Sequence, residues 1–185
     1  MVKPDTWIRK MAMEHGMIEP FAEGVSRPGI ISYGLSSYGY DMRIADRFKF
    51  YSGSGVLDPK AQGDNLYTDV TTEVVELEPN SSVLATSVEY FRIPRDILTI
   101  TFGKSTYARC GVLVNVTPFE PEWEGFVTIS IMNVNRYPVK LYSGEGIAQV
   151  IFLGGDGMCE TSYADKKGKY QTQKDITISK IDGHR

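Results

Sequence analysis

The run Gly103-Lys-Ser-Thr-Tyr-Ala-Arg109 places two cations and two aliphatic hydroxyls close together in the chain. Lys104 and Arg109 can make charge-assisted hydrogen bonds to phosphate oxygens, and Ser105 and Thr106 add neutral donors. The letters Gly-Lys-Ser-Thr also end a phosphate-binding P-loop. That motif needs a glycine five residues before its Gly-Lys, where this chain has Leu98, and a helix directly afterwards. Gly111-Val-Leu-Val-Asn-Val reads as a strand instead, so only a single turn, Ser105 to Arg109, fits between two strands. By residue type alone the segment suits a solvated turn as well as a phosphate grip.

Other catalytic sets are missing from the sequence. His15 and His184 stand near the two ends, and neither is placed for a Ser-His or Cys-His pair. A zinc nucleobase deaminase requires H-x-E with P-C-x-x-C, but the two cysteines, Cys110 and Cys159, are 49 positions apart. Both are expected to be small buried hydrophobes with free thiols. The run "TPFEPEWEGFVTI" carries three glutamates around one tryptophan. It suits a proline-bounded loop with solvated carboxylates, or a site in which Glu120 faces a sugar or a metal-bound phosphate.

These groups must be positioned by a mainly β chain. Thr6 to His15 reads as the one helix, capped by Asp5 or Thr6, with Trp7, Ile8 and Met11 on one face and Gly16 ending it. Strands are expected at Tyr38 to Ile44, Tyr67 to Leu77, Ser82 to Tyr90 and Ile97 to Phe102. Further strands are expected at Val112 to Thr117, Phe126 to Asn133, Val139 to Tyr142 and Ala148 to Leu153. Many short strands at close spacing favour a sandwich, jelly roll or small barrel. With 185 residues, one domain over 1–185 is expected, with 163–185 as a mobile tail or closing lid. A net charge of −3 argues against a nucleic-acid binder. No apolar run reaches the length of a membrane span, and the first twenty residues do not read as a signal peptide, so a cytoplasmic protein is expected.

Taken in order, "SSYGYDMR", "VLDPK", "EYFRIPRDILT", "GKSTYARCGVLVNVTPFEPEWEGFVTI", "GEGIAQVIF" and "GKYQTQ" resemble bacterial dCTP deaminases, of the trimeric dUTPase-like superfamily. The resemblance implies a distorted β jelly-roll or barrel and a homotrimer with sites at subunit interfaces. It also implies zinc-free hydrolysis of dCTP to dUTP and ammonia, with Mg2+ accompanying the triphosphate. Pyrimidine deoxynucleoside triphosphates are the implied partners: dCTP, dUTP and, as a candidate inhibitor, dTTP.

The resemblance further assigns Lys104 to Arg109, including Tyr107 and Ala108, to the nucleotide signature. Lys104 and Thr106 would hold the triphosphate, and Ser105 and Arg109 would lie by the pyrimidine 4-position. Thr117 and Pro118 match the strand edge by the base, Glu120 the acidic residue near the deoxyribose, and Thr128 and Ile129 the backbone that reads the pyrimidine. Gln149, Tyr163, Lys169 and Gln173 match phosphate contacts. One position departs. Where the family has a glutamate acting as general acid and base, 21 residues beyond Arg109, this chain has Ser130. A serine has no accessible pKa for moving protons near neutral pH. The following "NVNRYP" also lacks the expected Asn-Thr-Thr/Ser character. Three readings follow: a deaminase with altered proton handling, helped by Glu120 or Glu124; a dUTPase-like pyrophosphohydrolase or deaminase of a modified pyrimidine; or a silent nucleotide-binding homologue.

Overall fold

The computed structural model describes residues 1–61 and 63–181, and His184 lies outside them. Helix α1 spans Asp5–His15 and ends at Gly16, whose φ of 62° suits a residue without a Cβ. The expected side-chain cap is not formed. Pro4 takes the capping position, and Asp5 lies inside the helix, accepting from the Thr6 amide at 2.7 Å. Proline suits a helix start because its fixed φ is already compatible and its missing N–H would have lacked a partner. Ile8 and Ala12 are the buried residues of the helix, with Trp7 and Met11 packed partly against the core.

The strands are β1 (Ile18–Glu19), β2 (Gly34–Ser36), β3 (Gly39–Tyr51), β4 (Tyr67–Thr71), β5 (Val74–Leu77), β6 (Ser82–Arg92), β7 (Ile97–Gly103), β8 (Val112–Asn115), β9 (Glu124–Asn133), β10 (Val139–Tyr142) and β11 (Gly146–Gly154). A short helix, α2 (Ser105–Ala108), joins β7 to β8. The segment expected as one strand over Tyr67 to Leu77 is two, because β4 pairs with β3 whereas β5 leaves for β10.

The main sheet runs β7-β11-β3-β6-β9-β8. At its edges β7 meets the loop that follows β8, where Thr99 N donates to Phe119 O (3.2 Å) and Phe119 N to Thr99 Oγ1 (2.7 Å). The result is a nearly closed, distorted barrel, as expected from the many short strands. In β9 burial alternates strictly: Val127, Ile129 and Ile131 face the core, while Phe126, Thr128, Ser130 and Met132 are partly exposed on the other face. Strand β6 departs from this regularity. Its ladder with β9 shifts register between Thr86 and Tyr90, and there Glu89 turns inward and is fully buried.

Candidate functional site

Two groups of the expected site residues form, at opposite ends of β7. The first follows its C-terminal end. Lys104 leaves Gly103 and forms an ion pair with Asp41, a residue to which the sequence reading gave no role. Ser105 opens α2, Thr106 follows it, and both are exposed. Arg109 lies just past α2, with its guanidinium donating to Ser105 O at 2.9 Å. Gln149, in register with Asp41 across β11 and β3, donates to Ser36 Oγ at 2.9 Å. Tyr107 points inward and is buried. Its hydroxyl accepts from the Tyr142 amide (3.1 Å), and burial pushes its pKa up to about 12. Tyr107 therefore anchors the turn, and Ala108 closes it on the surface.

The second group surrounds a cleft of about 690 Å³ at the other end of β7, where Leu98 forms part of the wall. Thr117, Glu120, Thr128, Tyr163, Lys169 and Gln173 line it together. Its floor is apolar, with Phe119 and Trp123 stacked at a centroid distance of 5.0 Å. Glu120 accepts from Lys166 Nζ at 3.2 Å, and Lys169 sits over the Tyr170 ring. Glu120 is the only carboxylate among the described residues lining the cleft. Glu124 instead faces Arg92 (3.9 Å). Ile129 is fully buried and does not line the cleft.

Ser130 falls between the groups. It pairs with Asn115 of β8 and Leu84 of β6, two positions along β9 from Thr128. From Leu98 to Gly103 is five steps of strand, about 17 Å at the usual rise.

The tail forms one wall of the cleft. Trp123 Nε1 donates to Tyr170 O (2.9 Å), Thr172 N to Glu124 O (2.9 Å) and Phe126 N to Gln173 O (2.8 Å). The Gln173 amide side chain donates to Phe126 O at 3.0 Å and to Thr128 Oγ1. Beyond it, Thr177 N donates to Thr128 Oγ1 (3.0 Å), and Asp175 pairs with Arg47. Residues 163–181 thus pack along β9 and the turn before it. Gly125 permits the close approach: its φ is 152°, and a Cβ there would come within 2.8 Å of Gln173 N.

Both thiols are free, but the burial expected of them is not seen. Cys110 is exposed and Cys159 half-buried, because the former follows the surface turn and the latter lies in the loop after β11. Sequence reasoning also assigned nothing to Trp123 or Tyr170. Their signal was adjacency to Glu120 and Lys169 in quoted motifs, and folding was needed to bring the two motifs together.

A sequence model of the dCTP deaminase-like family matches residues 2–155. The dCTP deaminase of Paramagnetospirillum magneticum is 57% identical over 182 residues, covering 97% of this chain and 99% of that protein. The chain belongs to the dCTP deaminase family. Another relative, the dCTP deaminase of Chloroflexus aurantiacus, is 55% identical over 183 residues, with 98% of each chain covered. Among solved structures, the 2'-deoxycytidine 5'-triphosphate deaminase of Agrobacterium tumefaciens superposes with a TM-score of 0.66 at 15% identity. That match covers 83% of this chain and 48% of the other, and it is a likeness of fold. The nearly closed barrel shares the fold of that structure, and Ser130 stands in β9, whose Val127 and Thr128 line the cleft.

Proposed function

We propose that this family member binds a pyrimidine deoxynucleoside triphosphate and hydrolyses the 4-amino group of dCTP to give dUTP and ammonia. The observation that carries this reading is the cleft, which gathers Thr117, Glu120, Thr128, Tyr163, Lys169 and Gln173 from β9, the preceding loop and the tail. The high identity to relatives named dCTP deaminase supports the substrate. In this reading Thr128 and the backbone around Ile129 hold the base edge, and Glu120 lies by the sugar. Ser105 and Arg109 approach the 4-position, where charge develops as C4 becomes tetrahedral. Lys104, Thr106, Gln149, Tyr163, Lys169 and Gln173 hold phosphate oxygens. Tyr107 and Ala108 shape the turn.

The cationic and hydroxyl groups of this set suit phosphate oxygens rather than a metal ion, so Mg2+ fits as a companion of the triphosphate, where it would neutralise phosphate charge. Because the two groups of residues stand at opposite ends of β7, a second copy completing each site is part of the proposal. An apolar strip supports a homotrimer: Leu98, Ile100 and Phe102 on β7 and Leu113 on β8 are 41%, 37%, 59% and 52% exposed.

Deamination needs a proton taken from water and protons delivered to the departing amine. Ser130 supplies no such carrier, and the carboxylate left in the cleft is Glu120. A positioned carboxylate contributes roughly 10²–10⁴-fold. Ser130→Glu is therefore expected to raise ammonia release from dCTP by about that factor over a slow natural rate. Equal rates in the two proteins would refute the proton-carrier argument, and absence of ammonia from both while nucleotide binds would refute deamination.

A second reading keeps the triphosphate site and has Glu120 position water for cleavage of the α–β phosphoanhydride, in dUTP or a modified pyrimidine triphosphate. The placement of a carboxylate at Glu120 rather than at 130 favours it. Pyrophosphate release from dCTP and dUTP in the same assay separates the two. Binding with neither product identifies a silent homologue.

A further inference from the structure

Arg95 lies in the turn between β6 and β7, outside the residues that line the cleft. Its guanidinium forks between two separate stretches of chain. Nη1 donates to Glu122 Oε2 at 2.6 Å. Nη2 donates to Asp165 Oδ2 at 2.7 Å and to Glu160 O at 3.1 Å. Each stretch carries residues of one wall of the cleft. Glu122 stands between Glu120 and Trp123, and Asp165 follows Tyr163 by two residues; Glu120, Trp123 and Tyr163 all line the cleft. The backbone of Glu122 is pinned as well. Its N–H donates to Ile93 O at 3.0 Å, and its carbonyl accepts from Gln171 Nε2 at 2.9 Å. Its φ is 61°, a left-handed conformation that a residue with a Cβ keeps only where its surroundings fix it. The two stretches also meet directly, Tyr163 N donating to Pro121 O at 2.9 Å, and Arg95 braces both sides of that contact.

We propose that Arg95 is a positioning residue that sets the spacing between the two walls of the cleft, acting through Glu120, Trp123 and Tyr163 rather than on the nucleotide. This rests on the reading that the cleft holds a pyrimidine deoxynucleoside triphosphate. The side chains of Arg95, Glu122 and Asp165 are 30%, 36% and 44% exposed, so each ion pair contributes little to global stability. What the fork supplies is geometry. A planar guanidinium holds its donors in fixed relative directions, so one group ties both carboxylates at a set separation. A lysine ammonium carries the same charge without the fork. Without Arg95 the walls keep the Tyr163–Pro121 contact but sample wider spacings. Apparent affinity then falls with the fraction of molecules in the competent spacing.

The test is calorimetric titration of the full chain, Arg95→Met and Arg95→Lys with the α,β-imido analogue of dCTP in the presence of Mg2+. Arg95→Met keeps the stem and removes the fork. It should weaken binding by about three- to tenfold. Its melting temperature should shift by no more than about 5 °C, as for partly exposed ion pairs. Arg95→Lys should recover only part of the lost affinity. A readout without nucleotide isolates the clamp itself. In a Trp7→Phe background Trp123 is the one remaining tryptophan. Acrylamide should quench its fluorescence more readily once Arg95→Met loosens the walls. Unaltered binding or unaltered quenching in Arg95→Met, or full recovery by Arg95→Lys, overturns the proposal and leaves the pyrimidine site standing. A larger fall in melting temperature marks Arg95 as a structural residue and overturns it too. If the natural protein, though folded, does not bind the analogue, the pyrimidine reading itself fails, and the quenching result decides the clamp.

Discussion

Glu89 and Ser130 stand on neighbouring strands, and opposite physical demands govern them. Glu89 is fully buried and accepts from Arg43 Nε at 2.7 Å, the Arg43 amide at 2.9 Å and the Tyr40 hydroxyl at 3.2 Å. Burial holds its carboxyl above the usual carboxylate range, against the pull of the Arg43 guanidinium. Removing one member of such a pair leaves the other without compensation. Glu89→Ala is therefore expected to lower the free energy of unfolding by about 3–5 kcal/mol in urea titrations. Ser130, partly exposed on the opposite face, carries no comparable structural duty, so replacing it should change chemistry more than stability. Ser130 was singled out by the family resemblance, at a position reached by counting 21 residues on from Arg109. The inward turn of Glu89 was not legible, since it depends on a register shift against β9 that alternation within β6 does not announce.

At the scale of elements, the tail couples to the barrel through Asp165. Its carboxylate accepts from the Ser162 amide at 3.0 Å and pairs with Arg95 Nη2 at 2.7 Å. The Ser162 amide, with Arg95 second, holds its pKa below the ordinary 3.8. Because the folded value is depressed, the contact is fully present above about pH 4 and is lost as pH falls through the folded value. Pepsin cleavage of residues 163–181 should accordingly quicken between pH 4 and pH 2, and less steeply in Asp165→Asn. Parallel acid responses in the two proteins would count against this account. Most later strands were readable to within a few residues, since β-branched and aromatic runs bounded by glycine and proline mark them. However, β3 runs on to Tyr51, Tyr67 to Leu77 is two strands, and the short β1 and β2 were not expected. The path of the tail was not readable, because several of its bonds run to backbone groups of residues 122–126, which carry no sequence signal.

For the whole molecule, the proposed trimer links the exposed apolar strip on β7 and β8 to the separation of the two groups of expected site residues. A charge in the middle of the strip should block association. Phe102→Asp is expected to leave the thermal unfolding of the chain nearly unchanged. Analytical ultracentrifugation should show it as a smaller species, and nucleotide turnover should fall to background. A stable, active monomer would refute the shared-site reading. The barrel class was legible from strand number and spacing. The family resemblance implied sites at subunit interfaces, but which residues stand at which end of β7 was not readable, because the motif from Lys104 to Glu120 is continuous in sequence.

Several polar groups of the proposed site pair with one another: Lys104 with Asp41, Lys166 with Glu120, and Gln173 with Thr128. A nucleotide entering there exchanges these bonds for new ones instead of adding bonds to an empty frame. The heat of binding should therefore be small at room temperature. The covering of Phe119, Trp123 and Tyr170 should appear instead as a negative heat-capacity change, so that binding grows more exothermic on warming.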